Sequence, residues 1–122
     1  MAEHYSHLDD KYFLAINNGD KKYELRVNDE TRQEIKINYR WIFSNRDYPE
    51  AEPIVTLVTE RKEYPNFREG VKDTGPNKLL PGVQDEDKAV NIYESFPHEL
   101  GTYKDGAEKF GVVRFRLKVL NN

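Results

Sequence analysis

The residue pattern predicts an α+β fold: a small, mostly antiparallel β-barrel with two or three helices inserted between its strands. Three observations carry this. Four segments alternate or run apolar as strands do. Helical stripes fall between those segments rather than in a block of their own. Aromatic residues make up 12% of a 122-residue chain, and a small sheet buries such bulk best by curling, which also hides its edges.

The elements follow in order. Asp9 or Asp10 suits an N-cap, and Tyr12, Phe13 and Ile16 share the face of a first helix. Asn17-Asn18-Gly19 ends it, with Gly19 fitted to a left-handed position. Residues 21–27 form a strand in which Tyr23, Leu25 and Val27 alternate with Lys22, Glu24 and Arg26. Residues 28–34 are polar and make a turn or short helix. Residues 39–44 form a second strand, with Tyr39, Trp41 and Phe43 as a core stripe. Two prolines mark 45–53 as loop. Residues 54–59 are continuously β-prone, as in a central strand covered on both faces.

Residues 61–83 are irregular. Phe67 and Val71 share a helical face there, and Gly75-Pro76 and Pro81-Gly82 break the chain around Leu79-Leu80. The clearest helix is 85–96, where Ala89, Ile92, Tyr93 and Phe96 form an apolar stripe and Pro97 ends it. That stripe assigns Tyr93 and Phe96 to the core. The glycines at 101, 106 and 111 make that stretch read as loop. The last strand, 110–120, sets Val113, Phe115, Leu117 and Val119 against Arg114, Arg116 and Lys118.

Composition sets the bounds. The length fits a single domain over 1–122. Leu, Ile, Val and Phe supply 30 of the 122 residues, above the roughly 20% level typical of disorder. No cysteine is present, which excludes a disulfide scaffold, thiol catalysis and thiolate-bound metals. His4 and His7 would face opposite ways on a strand and His98 stands alone, so no metal is expected. There is no nucleophile-elbow serine and no nucleotide-binding glycine pattern, and no cofactor is expected. No apolar run is long enough for a membrane span, and MAEHYSHLDD does not resemble a leader, so a cytoplasmic location is expected. Net charge is −3, which argues against a general nucleic-acid coat. Yet seven basic residues face four acidic ones between Lys21 and Arg46, so a local basic cleft is open to the chain.

Gly19 to Arg26 reads G-x-K-x-x-E-x-R directly after the Tyr12-Phe13-Ile16 helix. With Leu79-Leu80-Pro81-Gly82-Val83, Ile92-Tyr93-Glu94-Ser95-Phe96 and Phe110-Gly111-Val112-Val113 in the same order, this resembles the ASCH domain family. That family is named for homology to the activating signal cointegrator and is related to PUA-like RNA-binding folds. The resemblance covers almost the whole chain and implies a PUA-like barrel that binds RNA or a modified nucleoside. Two positions depart from the pattern. Asn38-Tyr39 stands where the family often has Gly-Asp, although Asn also tolerates left-handed backbone. Glu24 stands where the small ASCH-type enzymes that hydrolyse N4-acetylcytidine have threonine, which favours binding over their nucleophilic mechanism.

The site expected from these residues is Lys21, Glu24 and Arg26, converging as donors and acceptor on a phosphate or a base edge. In a dry site Lys21 and Glu24 would also serve as acid–base groups. Arg61 and Lys62 would track a phosphate backbone while Tyr64 offers a stacking face. Binding of RNA or a modified nucleoside is the first reading. The second is an enzyme on the same fold, either a metal-independent ribonuclease or an N4-acetylcytidine-type amidohydrolase. The third is a protein-interaction module using the acidic 85–94 helix. If Lys21 is a solvated pocket charge, Lys21→Ala leaves stability nearly unchanged, whereas Leu25→Ala on the core face costs about 2–5 kcal/mol.

Overall fold

The computed structural model describes residues 2–121. Among them the chain runs β1 (Glu3–Leu8), α1 (Asp10–Asn17), β2 (Tyr23–Val27), α2 (Glu30–Gln33), β3 (Arg40–Asn45), β4 (Ile54–Tyr64), α3 (Phe67–Thr74), α4 (Pro76–Leu79), α5 (Glu86–Ser95), β5 (Pro97–His98), β6 (Gly101–Thr102), α6 (Tyr103–Phe110) and β7 (Val112–Val119). Five strands form one sheet in the order β1-β3-β4-β7-β2, and β5 pairs with β6 separately. β1 runs parallel to β3, and the other neighbours in the large sheet are antiparallel. The α+β class and the curled, mostly antiparallel sheet match the pattern of the sequence. The sheet is a half-barrel, with β1 and β2 as its two edges.

Both faces of the sheet carry a buried cluster, the second only over β2, the start of β7 and the end of β4; burial alternates along 54–59, so that stretch is not covered on both faces as expected. On the first face, Trp41 and Phe43 of β3, Val58 of β4 and Phe115 of β7 pack under Phe13 and Ile16 of α1. Trp41 stacks on Phe43 at 4.9 Å between centroids and meets Phe115 edge-on at 5.0 Å. On the other, Leu25, Val27 and Val112 pack under Phe67, Val71 and Val90 of the helices. Each such side chain contributes roughly 1.5–3 kcal/mol on burial. Asn38 takes the left-handed conformation at φ 76°, so the turn before β3 forms without a glycine.

Several expectations need correction. Among the described residues there are six helices rather than two or three, two of them single turns. The glycine-rich stretch after Leu100 is not a loop. It holds α6, started by a capping box in which Thr102 accepts from the Asp105 backbone and the Asp105 carboxylate accepts from the Thr102 backbone. β1 was not expected. Half of its residues are exposed and few are apolar, so it shows little apolar alternation, and pairing with β3 makes it a strand. β4 continues to Tyr64, five residues past its expected end, with a register shift between Val58 and Glu60. His98 is not isolated: its Nε2 lies 3.1 Å from Asp29 Oδ2.

Candidate functional site

The G-x-K-x-x-E-x-R segment is placed by the end of α1. Gly19, at φ +88°, turns the chain, and the Lys21 backbone N–H donates to Ala15 O at 3.0 Å. Lys21 is thereby delivered to the start of β2. Along β2, Glu24 lies opposite Phe115 and Arg26 opposite Val113. Both therefore project onto the same face as the Trp41 core, and Leu25 projects onto the other. The alternation of the strand makes two charged side chains neighbours in an apolar setting.

Lys21 and Glu24 are 3% and 4% exposed. Arg26 donates from Nε and Nη2 to Glu24 Oε2 at 2.8 and 2.6 Å. Lys21 Nζ lies 3.3 Å from Glu24 Oε1 and donates to Leu79 O at 2.6 Å. Leu79 closes α4, so the Leu-Leu-Pro-Gly segment supplies the carbonyl that orients the lysine. The Arg26 guanidinium also lies 5.6 Å from the Trp41 ring centroid.

Burial and charge compete at each member. Burial pulls the Lys21 ammonium below its usual value, and Glu24 only partly restores it. For Glu24 burial acts to raise the pKa, but Arg26 and then Lys21 outweigh it, and the carboxyl sits below its usual value. Burial also opposes the Arg26 charge, and Glu24 more than compensates, so Arg26 is raised. With all three ionised the triad carries one net positive charge.

The triad lines a cleft of about 240 Å³. His7 and Leu8 at the end of β1, with Asp9 and Arg46, also line it, so the cleft draws on both edge strands of the sheet. Tyr12, Leu80, Tyr93, Phe96 and Tyr103 supply a largely aromatic wall. Phe96 meets Tyr12, Tyr93 and Tyr103 edge-on, at 6.2, 5.8 and 5.6 Å between centroids. Flat apolar walls with a few converging polar groups are what a small planar ligand requires.

Arg61, Lys62 and Tyr64 lie outside the cleft lining. The register shift in β4 puts Arg61 opposite Phe115 and Tyr64 opposite Val112. Arg61 and the two other residues consequently project from opposite faces of the sheet. Arg61 is occupied by Ile35 O at 3.1 Å and Asn28 Oδ1 at 3.0 Å, which tie down the segment around α2. Lys62 and the Tyr64 hydroxyl both reach Asp73 Oδ2, at 2.8 and 2.6 Å. Burial and Asp73 raise the Tyr64 pKa to about 12. These groups form a network between sheet and α3. Among the described residues no His, Asp and Glu cluster is arranged to hold a metal ion, and no helix is long and apolar enough to cross a membrane.

Sequence reasoning missed the part played by Tyr93 and Tyr103. Tyr93 belongs to the α5 stripe and also lines the cleft, where its hydroxyl has no hydrogen-bond partner among the described residues. Tyr103 lay in the stretch read as loop. The pattern Thr102-x-x-Asp105 was the available signal that a helix begins there and presents Tyr103 from its first turn.

No protein-family model matches the chain, and no curated protein matches it. Solved structures that do match include the crystal structure of the hypothetical protein PH0355, 27% identical, with 98% of this chain and 100% of that chain covered at a TM-score of 0.80. They also include the solution NMR structure of protein PF0455 from Pyrococcus furiosus, 26% identical, with 98% and 99% covered at 0.74. The chain thus shares the whole of this fold with both, and neither name carries an activity.

Proposed function

We propose that the chain is an ASCH-type, PUA-like module of the cytoplasm whose cleft binds an unpaired RNA base or a free modified nucleoside. The carrying observation is the hydrogen-bonded Lys21–Glu24–Arg26 triad lining an aromatic cleft. Among the described residues Glu24 Oε1 accepts one long contact, from Lys21, and retains capacity for a base N–H. Lys21 and Arg26 supply donors for a carbonyl or phosphate oxygen, and the tyrosine and phenylalanine rings suit a planar heterocycle. The cleft volume fits one nucleoside and not a duplex.

A hydrolase is the second reading. It is favoured by the buried Lys21, whose pKa burial lowers, the direction that acid–base work by a lysine requires. Incubation with labelled single-stranded RNA and a panel of modified nucleosides, without added metal, tests both readings. Saturable binding without product supports the binder, and product supports the hydrolase. No binding to any member of either panel removes both.

A further inference from the structure

We propose that the Tyr93 hydroxyl is the specificity-determining group of the cleft. It bonds to a neutral polar substituent on the ring of the bound heterocycle and so selects ligands that carry one over ligands that present C–H there. The inference rests on the nucleoside-binding reading and adds to it a requirement on the ligand's edge.

Tyr93 is 3% exposed. A phenol this deeply buried ordinarily finds a partner, because an unpaired polar atom away from water is costly. Here the hydroxyl oxygen is buried and has none among the described residues. Nor is the ring free to swing toward one. Phe67 lies parallel to it at 5.4 Å and 7°, and Phe96 meets it edge-on at 5.8 Å and 86°. Phe67 is held in turn by Tyr103, parallel at 5.7 Å.

Tyr93 lines the cleft together with Glu24, Arg26, Tyr12 and Tyr103. Its unsatisfied hydroxyl therefore belongs to the same site as the triad. Burial holds its pKa well above the usual value, so it stays a neutral phenol with one proton to give and lone pairs to accept. The triad already supplies charged donors and a charged acceptor. What Tyr93 adds is a neutral group whose match is an amino, carbonyl or hydroxyl substituent.

An unpaired hydroxyl kept for a ligand makes a combined prediction about Tyr93→Phe, which removes one oxygen and keeps the ring. Without ligand the variant should melt at the same temperature as the parent or higher, since a buried unsatisfied group is gone. Binding is measured by calorimetry for two nucleoside pairs, adenosine against purine riboside and cytidine against pyrimidin-2-one riboside. The parent should prefer the exocyclic member of at least one pair by on the order of tenfold. Tyr93→Phe should bring that ratio to within about twofold, by weakening the exocyclic ligand alone. An unchanged ratio in the variant overturns the inference and leaves nucleoside binding standing. So does a variant that melts lower and loses all ligands equally, because Tyr93 then serves packing. A parent that binds none of the four nucleosides overturns this inference, and the RNA panel then decides the reading beneath it.

Discussion

Lys21 and Glu24 show how one environment gives neighbouring residues opposite mutational behaviour. Lys21 is buried with its charge disfavoured, so its charge does not hold the fold together. Nor is it the solvated pocket charge that would make Lys21→Ala neutral, since its amine is the donor to Leu79 O. Lys21→Ala should cost about 1–3 kcal/mol through that orphaned carbonyl and an unfilled space. Lys21→Met orphans the same carbonyl but fills the space and removes the buried charge, so it should melt higher than Lys21→Ala while losing ligand binding. If Lys21→Met keeps full affinity, the lysine is not part of the site. Glu24 is the reverse, because its carboxylate neutralises two buried cations. Glu24→Gln strands Arg26 and should cost about 3–5 kcal/mol by denaturant unfolding. The pH dependence has a definite sign. The folded Glu24 pKa lies below its usual 4.5, so its stabilisation is fully present above that value. It is lost as the pH falls further, when the unfolded chain takes up the proton before the folded one. The stability gap between parent and Glu24→Gln should therefore be flat from neutrality to about pH 4.5 and narrow below it. A gap that widens on acidification would mean that the Glu24 pKa is raised.

At the scale of elements, the legible parts were those whose burial pattern is local. β2, β3 and α5 each carry their own period, and Trp41 and Phe43 are fully buried as their alternation implied. Leu25 is 1% exposed against the helices, which keeps the expected loss of about 2–5 kcal/mol for Leu25→Ala. β1 was illegible because an edge strand with few apolar residues owes its form to β3, far away in sequence. The site was half legible for the same reason. Glu24 and Arg26 sit two apart on one strand, whereas the Leu79 carbonyl meets Lys21 and Tyr93 joins the cleft lining only through tertiary packing. α6 was hidden by Gly106, which reads as a breaker but permits a close approach. A Cβ there would lie 3.0 and 3.1 Å from the Val27 methyls and 3.2 Å from His98 Cε1. Gly106→Ala gains about 1 kcal/mol in helix propensity. It must also push α6 from a fully buried valine, an overpacking cost of about 1–3 kcal/mol. The variant should therefore melt lower than the parent, with ligand affinity reduced because Tyr103 rides on the displaced helix. A higher melting temperature would show that α6 has room to shift.

For the whole molecule, β1 and β2 end the half-barrel sheet, and the cleft draws on both of these edge strands. The formal charge of −3 against one net positive charge in the triad implies that few phosphates are neutralised. RNA affinity should fall with salt by about 0.7 log units per tenfold salt for each phosphate engaged, so a slope shallower than about −2 is expected. A free nucleoside should show almost no salt dependence. The position of the cleft carries a stronger consequence. His7 and Leu8 of β1 and Glu24 and Arg26 of β2 line the same cleft. A ligand seated between them touches both edges of a sheet whose strand order keeps those edges four places apart. Binding to the folded state alone adds about 2.7 kcal/mol of stability at a hundredfold excess over Kd. That gain should be spread over both edges, since a bound ligand ties together two strands that otherwise open independently of one another. Hydrogen exchange with and without saturating nucleoside reads this directly. Amides of Glu3–Leu8 and of Tyr23–Val27 should slow together, more than those of β4 at the sheet's centre. Slowing confined to Tyr23–Val27 would place the ligand on one wall only and remove β1 from the site. Slowing centred on Ile54–Tyr64 and Val112–Val119 would put binding on the Lys62–Tyr64 face and leave the cleft without its ligand.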